Sequence, residues 1–464
     1  MKVFLSGIAG TGMSSLAGLF KEKGFDISGS DRKFYPPTGD ILKKMKIKLF
    51  GGFNEKNISE DIDLCIIGNI ISRGNPEAEF ILNRDIPYIS MAEALYRFFI
   101  KGKNSVVVSG THGKTTTASF TAFLFKNAGI DPGYFIGGKP VDLSSGYSTG
   151  KGDYFISEGD EYETSFFDRS SKFLKYHPRF LLLTSLEYDH IDFFKTPDNY
   201  LYAFRNLVNQ VPSDGIIIAN SDYPLTLEAV KGSLSKIVTY GESSGDFIIK
   251  NILLRDEGFD FTISSESREF NFKTGLRGKY NIWNLTAGII MGMKAGIDME
   301  IIERSVLEFS GVERRLRELG RIDKTVYFED FAHHPTSISA VLNSLRETFP
   351  NRIIKVFIEP GSWSLKHKMF EERLTESLMK ADEISIKSVN ISKKFPESST
   401  VDLKRVRDRL VENGKRAEVS EDYEEMKEEI KLMDNSVNRA VILLSNGGFG
   451  GLPGFTSSII SKNY

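Results

Sequence analysis

A single cysteine, Cys65, serves the whole 464-residue chain, so no internal disulfide framework is possible and a reducing compartment is implied. It lies in the apolar run LCIIG, which reads as a buried core thiol and not a nucleophile. Long hydrophobic runs are missing too. No stretch approaches the ~18 apolar residues of a membrane-spanning helix, and MKVFLSG reaches Gly7 too soon for a signal peptide. The chain is therefore expected to stay in the cytoplasm without membrane insertion. Neither charge is in excess: 60 basic and 62 acidic residues leave a net charge of −2, which gives no reason to expect a nucleic-acid or anionic-membrane partner. Repeats and low-complexity segments are also lacking. What remains is an ordinary globular composition, 40% hydrophobic and 26% charged, in a chain too long for one core. Its length suggests about three domains.

The stretch that organises the rest is SVVVSGTHGKTTT, residues 105–117. Val106 to Val108 form a β-branched run suited to a buried parallel strand, and the small residues from Thr115 to Ala122 suit a helix. Strand, glycine turn, Lys-Thr and helix together describe a phosphate-binding loop. Its backbone N–H groups surround phosphate oxygens, and the helix N-terminus adds positive potential. Lys114 would reach the β/γ-phosphates and the Thr115 hydroxyl would hold Mg²⁺. The spacing is the short GxxGK[ST] form, because Val108 stands where the longer motif has its first glycine.

Before this loop, residues 2–6 read as a strand and GIAGTGMSSLAGLFKEKG as a glycine turn and amphipathic helix capped by Gly24. The strand DISGSD follows and ends at Asp31, giving a βαβ unit of Rossmann type. Its glycines read GxxGxG, which fits several phosphate ligands besides a dinucleotide. LCIIG reads as a further strand, and NPEAEFILN and MAEALYRFF as helices, before the basic link KGKN. After the loop, DYFISEGDEYE ends a strand in Glu158, Asp160 and Glu161, and RFLLLTSLEYDH ends another in Asp189 and His190. Carboxylates and an imidazole at strand ends beside phosphates suit Mg²⁺. Residues 236–274 read as a small antiparallel insertion, with helical periodicity returning at 281–308. A last α/β unit starts near GRID with the strand TVYFED and the helix FAHHPTSISAVLNSL. His333 and His334 are adjacent, point in different directions and have no cysteine nearby, which argues against a structural zinc site. The charged region 402–433 reads as the solvated face of helices, and SNGGFGG as a flexible glycine loop. The fold class is α/β, with domains at 1–102, 103–319 and 320–464.

GTHGKTTT, a strand ending in Glu158, Asp189-His190, NIWN, ERR and EDFAHHPT occur in an order that resembles the Mur ligases, which build the peptide stem of bacterial cell-wall precursors. The resemblance covers essentially the whole chain. It implies a Rossmann-like N-terminal domain for the UDP-sugar, a central ATPase domain with the phosphate loop, and a Rossmann-like C-terminal domain that closes over the amino substrate. Carried over, it places Gly110, Thr111, His112, Gly113, Lys114, Thr115, Thr116, Asn281, Arg315, Asp330 and His333 around ATP. Thr115, Glu158 and His190 are implied beside Mg²⁺, with Lys114, Glu158 and His190 as catalytic residues. Gly7, Gly10, Thr11, Gly12 and Asp31 are implied around the UDP-sugar.

The stretches SDRKFYPP, EYETSFFDRSSKF, EPGS and SNGGFGG resemble the recycling branch. That branch joins the tripeptide L-alanyl-γ-D-glutamyl-meso-diaminopimelate to UDP-N-acetylmuramate through an acyl phosphate. The branch that adds free L-alanine is the alternative. Three departures stand out. Arg205 occupies the position of a lysine that is carbamylated in several Mur ligases, so a carbamate bridge is not expected. Gly361 replaces the arginine of EPRS, and Thr184 and Ser185 stand where an asparagine is usual. A nicotinamide oxidoreductase would leave GTHGKTTT unexplained, and a non-catalytic nucleotide switch would leave the sugar-binding domain without a purpose.

Overall fold

The computed structural model describes residues 1–35, 38–266, 268–389 and 397–462, so Pro36 and Pro37 of SDRKFYPP lie outside the described residues. Three parallel-rich sheets carry the chain. The first has five strands, ordered Lys48–Gly51, Asp26–Asp31, Lys2–Ser6, Leu64–Ile67 and Tyr88–Ser90, all parallel. Each chain crossover brings a strand's C-terminal edge to the same side, where the glycine turn meets the helix Thr11–Glu22.

The central sheet has ten strands, and the β-branched strand Asn104–Ser109 sits inside it between Phe180–Leu183 and Tyr154–Glu158. Val106, Val107 and Val108 are fully buried, which is why this run carries no polar alternation. Residues 236–274 hold the antiparallel strands that the sequence suggests, and these belong to the central sheet. Lys236–Gly241 continues the central sheet in parallel, and Phe247–Leu254, Phe259–Ser265 and Arg268–Thr274 extend its edge as an antiparallel meander. The sequence showed the change of pattern, but sheet membership depends on pairing with residues far away.

The third sheet has six strands: Arg317–Ile322 antiparallel to Thr325–Asp330, then Arg439–Leu444, Ile353–Ile358, Glu383–Lys387 and Arg416–Ser420, in parallel. A domain division at 319/320 would cut the strand Arg317–Ile322. Arg416–Ser420 is an edge strand inside the region read as helical faces; its period-2 pattern spans only five residues between two charged helices. In the same way MAEALYRFF is α-helical only over Met91–Leu95, and the turn widens to π over Tyr96–Ile100.

The cores divide unevenly. One apolar cluster runs from Val3, Leu16 and Phe20 in the first sheet's layer through Phe135, Phe155 and Phe204 of the central unit. The contact is close: a Cβ on Gly18 would lie 2.2 Å from the Tyr147 ring. The C-terminal sheet has its own clusters, around Val326, Ile354 and Ile442 on one face and Tyr327, Phe357 and Val441 on the other.

Candidate active site

The phosphate loop is shaped by two left-handed glycines, Gly110 at φ +135° and Gly113 at φ +81°. Side chains cannot replace them. A Cβ on Gly113 would stand 2.1 Å from Asn284 Oδ1, and one on Gly110 2.5 Å from Thr184 Oγ1. Gly113 caps the helix Lys114–Asn127, so the helix N-terminus opens on the loop. Thr184 and Ser185, which stand where an asparagine was expected, brace the loop from below. The Thr184 hydroxyl donates to His112 O at 2.5 Å, Ser185 Oγ accepts from His112 N at 3.0 Å, and Ser185 O accepts from Thr111 N at 2.7 Å.

Lys114 Nζ donates to Gly110 O at 2.6 Å and to Glu161 Oε1 at 3.0 Å. The same Glu161 oxygen lies 2.8 Å from His190 Nε2, and the Tyr162 hydroxyl lies 2.8 Å from His190 Nδ1. Burial works against all three charges, but their mutual attraction outweighs it. Lys114 is held above its ordinary pKa by Glu161 and Glu158, and His190 above its own by Glu161. Glu161 is held below the usual carboxylate value by Lys114 and His190. Glu161 was visible in the sequence as an acid at a strand end, but nothing there assigned it this place.

Glu158 Oε1 accepts from the Thr115 hydroxyl at 2.9 Å and its Oε2 from Gly137 N at 2.8 Å. Glu161 Oε2 is buried without a hydrogen-bond partner. Thr115 Oγ1, Glu158 and the orphaned Glu161 oxygen are hard donors of the kind that hold Mg²⁺. Both nitrogens of His190 face protein partners, Glu161 and Tyr162.

These residues line a cavity of about 650 Å³ that continues between Tyr223, Trp283 and Asn284 on one side and the helix Pro335–Thr348 on the other. Arg315, Asp330 and His333 reach it from the C-terminal unit. Arg315 lies over the Phe331 ring, 4.8 Å from its centre, and its guanidinium is 3.4 Å from Thr115 Oγ1. Asp330 accepts from Leu316 N and Ala332 N, both at 2.6 Å, and burial raises its pKa. Burial also lowers His333 to about 4, which leaves a neutral imidazole facing the cavity.

Asn281 lies apart. It lines a separate cavity of about 200 Å³ and donates to Arg277 O at 2.7 Å, while Asn284 faces the main cavity. The residues implied for the UDP-sugar gather at the glycine turn of the first sheet, outside the main cavity. Gly7 is at φ +84°, Gly10 caps the helix whose first residues are Thr11 and Gly12, and Asp31 Oδ2 accepts from Ala9 N at 2.9 Å. Asp31 therefore braces the turn. Beneath it the fully buried Glu77 accepts from Ser6 and Ser30 hydroxyls at 2.5 and 2.6 Å and from Asn57 Nδ2 at 2.8 Å, a role no sequence pattern marked.

Two departures also find their places. Arg205 pairs with Glu228 on the surface. At Gly361 a Cβ would meet Asn446 Oδ1 at 2.1 Å, so the Asn446 amide fills the space a longer side chain would enter.

Family comparisons cover these three units in order. The description "Mur ligase family, catalytic domain" matches residues 4–101, "Mur ligase middle domain" residues 108–292, and "Mur ligase, glutamate ligase domain" residues 314–447. The UDP-N-acetylmuramate--L-alanyl-gamma-D-glutamyl-meso-2,6-diaminoheptandioate ligase of Escherichia coli (strain K12) is 35% identical over 387 residues, 83% of this chain and 84% of that protein. The chain belongs to the Mur ligase family. As a Mur ligase it is an ATP-dependent acid–amino-acid ligase of peptidoglycan synthesis. The UDP-N-acetylmuramate--L-alanine ligase of Aquifex aeolicus (strain VF5) is 33% identical over 373 residues, covering 80% of each chain. The crystal structure of the UDP-N-acetylmuramate-alanine ligase from Thermotoga maritima superposes with a TM-score of 0.82 over 100% of both chains at 23% identity, which speaks for the fold. Among the described residues, no helix is long and apolar enough to cross a membrane.

Proposed function

We propose that this Mur ligase joins L-alanyl-γ-D-glutamyl-meso-diaminopimelate to UDP-N-acetylmuramate in peptidoglycan recycling, in the cytoplasm. The observation that carries this reading is the hairpin Glu163–Ser165 with Asp168–Ser171, formed by the stretch that resembles the recycling branch. It leaves the strand end at Glu161 and Tyr162, both in contact with His190, and so makes that stretch part of the site. The relative at 35% identity carries the same activity in its name. The alanine-adding reading is supported by a relative at 33%, so the amine is the point to test.

An amide does not form from a free carboxylate in water without activation. In the proposed reaction the lactyl carboxylate attacks the γ-phosphorus of ATP, ADP leaves, and an acyl phosphate results. The peptide's neutral α-amine then attacks the acyl carbon, phosphate departs with the bonding electron pair, and the nitrogen's surplus proton leaves to the departing phosphate or to water. Lys114, which donates to Glu161, would exchange that partner for the transferring phosphoryl group, and the loop N–H groups would fix the phosphate chain. Thr115 and Glu158 would hold Mg²⁺, which neutralises phosphate charge when bound. His333 and Arg315 bring the C-terminal unit over the cavity and exclude water from the activated acyl group.

Both amines present an α-amino group beside the same methyl, so discrimination must come from binding energy remote from the reacting atoms. The tripeptide is expected to exceed L-alanine in kcat/KM by on the order of 10² or more. Steady-state ADP release with UDP-N-acetylmuramate fixed measures both. Equal or better use of L-alanine assigns the protein to the alanine-adding branch, and no ADP with either amine removes the UDP-N-acetylmuramate reading.

A further inference from the structure

Glu187 lies just beyond the strand Phe180–Leu183, at the seam between the central and C-terminal units. Its two oxygens have separate partners. Oε1 accepts from the Thr336 hydroxyl at 2.8 Å and pairs with Arg373. Oε2 faces two imidazoles instead: His112 Nε2 of the phosphate loop at 3.2 Å, and His334 Nδ1 at the start of helix Pro335–Thr348 at 3.9 Å. One donor atom from each of the three residues lies within 4.8 Å of the other two. The rings of His112 and His334 are 5.2 Å apart.

The hydrogen bonding of His334 is incomplete. Its side chain is 1% exposed, Nδ1 accepts from Thr336 N–H at 3.4 Å as the cap of its helix, and Nε2 is buried without a partner. Burial lowers His334 to about 4, which keeps the imidazole neutral, and an ion at Nδ1 would take the place of the long cap bond from Thr336 N–H. Glu187 is held ionised, to about 2, against its burial by His112, His334 and Thr336.

We propose that His112, Glu187 and His334 form a binding site for a transition-metal dication of the Zn²⁺ class, separate from the oxygen donors around Thr115 and Glu158. Two imidazole nitrogens and one carboxylate are a borderline-soft set that selects zinc-like ions over Mg²⁺. Tetrahedral bonds of 2.0–2.1 Å place donors roughly 3.3 Å apart. The His112–Glu187 pair is already at that separation, and His334 would close by roughly 0.6 Å from its 3.9 Å. His112 and Glu187 are 22% and 23% exposed, which gives the ion an entry from the cleft and leaves a fourth position for water. Arg373 holds the other Glu187 oxygen, so an ion at Oε2 would replace the His112 hydrogen bond and leave the Arg373 pair in place. Two ligands belong to the central unit and one to the C-terminal unit. Bound metal would therefore clamp the two together and take His112 from the phosphate loop, so it would act as an inhibitor of turnover.

The inference does not rest on which amine the enzyme uses. Co²⁺ titrated into the chelator-stripped full chain, with Mg²⁺ in excess, tests it directly. We expect one equivalent of Co²⁺ with visible d–d absorption of a four- or five-coordinate ion, and its displacement by Zn²⁺. His112→Ala and His334→Gln should each weaken binding by at least ~10-fold, since even outer-shell changes cost 10–100-fold. Glu158→Gln should leave the band in place. Circular dichroism in the absence of metal checks the fold of each variant; if His334→Gln does not fold, the loop variant His112→Ala decides alone. No band at one equivalent overturns the proposal and leaves Glu187 as a hydrogen-bonded bridge only. A band unchanged in His112→Ala does the same.

Discussion

At the scale of single residues, the site is a set of charges waiting for a more negative partner. Lys114 is 15% exposed and Glu161 1%, and the lysine shares one Glu161 oxygen with His190. In water such a pair would contribute little, but here each member is needed to offset the desolvation of the others. A triphosphate brings more charge than one carboxylate and can draw the lysine away. If Lys114 meets the phosphoryl group as proposed, Lys114→Ala should lower the rate by on the order of 10² or more. It should also leave Glu161 with His190 alone, while the helix Lys114–Asn127 keeps its buried face and the fold survives. ADP release by the purified variant, with circular dichroism as the fold control, measures this. Near-normal turnover would take the loop out of the chemistry.

Elements place these residues, and here sequence and structure can be weighed against each other. The strand Asn104–Ser109, the loop and the helix after it were legible because a β-branched run, two glycines and Lys-Thr each impose a local conformation. The strand end at Glu158 was legible for the same reason, whereas the strand read as ending in Asp189-His190 stops at Leu183 and an irregular segment carries those two residues to the site. What was not legible depends on distant pairing. Arg416–Ser420 is a five-residue edge strand between two charged helices, residues 236–274 join the central sheet, and Asn284 rather than Asn281 faces the main cavity through the rotation of one helix. Nothing local announces that His334 meets His112, 222 positions earlier in the chain. Glu158 shows what an element contributes. As the last residue of Tyr154–Glu158 it bridges Thr115 and Gly137 N, two segments that flank its own strand's edge. Glu158→Gln keeps the shape but removes the charge a hard cation needs. The Mg²⁺ concentration for half-maximal rate should rise by on the order of 10-fold or more. A Mg²⁺ titration superimposable on that of the unaltered enzyme would end the assignment of Glu158 as a ligand.

Across the whole molecule, the three units are joined in two different ways. The N-terminal and central units share one apolar core, so separating them would expose Phe20, Phe135 and their neighbours at a cost of about 25 cal/mol per Å². The C-terminal unit keeps its own cores, against which the central unit packs Tyr280 and lays Arg277, and the rest of the seam is polar: Ser364 with Asp189, Thr336 and Arg373 with Glu187, and Arg315 with Thr115. Between them the backbone turns through Arg314 at φ +61° and Leu316 at φ +47°, left-handed conformations that side chains rarely adopt and that mark a junction held by its surroundings. Motion should therefore occur at this seam and not at the first. Its strongest polar tie is the Ser364 hydroxyl on Asp189, whose side chain is only 5% exposed; a hydrogen bond to such a charge contributes about 1.5–3 kcal/mol. Arg373 is 43% exposed, and solvent screening limits its pair with Glu187 to about 1 kcal/mol or less. Removing both should shift the closure equilibrium toward the open form by on the order of 10², since 1.4 kcal/mol is tenfold. Small-angle scattering of Ser364→Ala/Arg373→Ala with Mg²⁺ and a non-hydrolysable ATP analogue should then give a larger radius of gyration than the unaltered enzyme, at an unchanged circular dichroism spectrum. Superimposable scattering curves would mean that these ties do not hold the seam, and that closure depends on contacts made through the bound nucleotide itself.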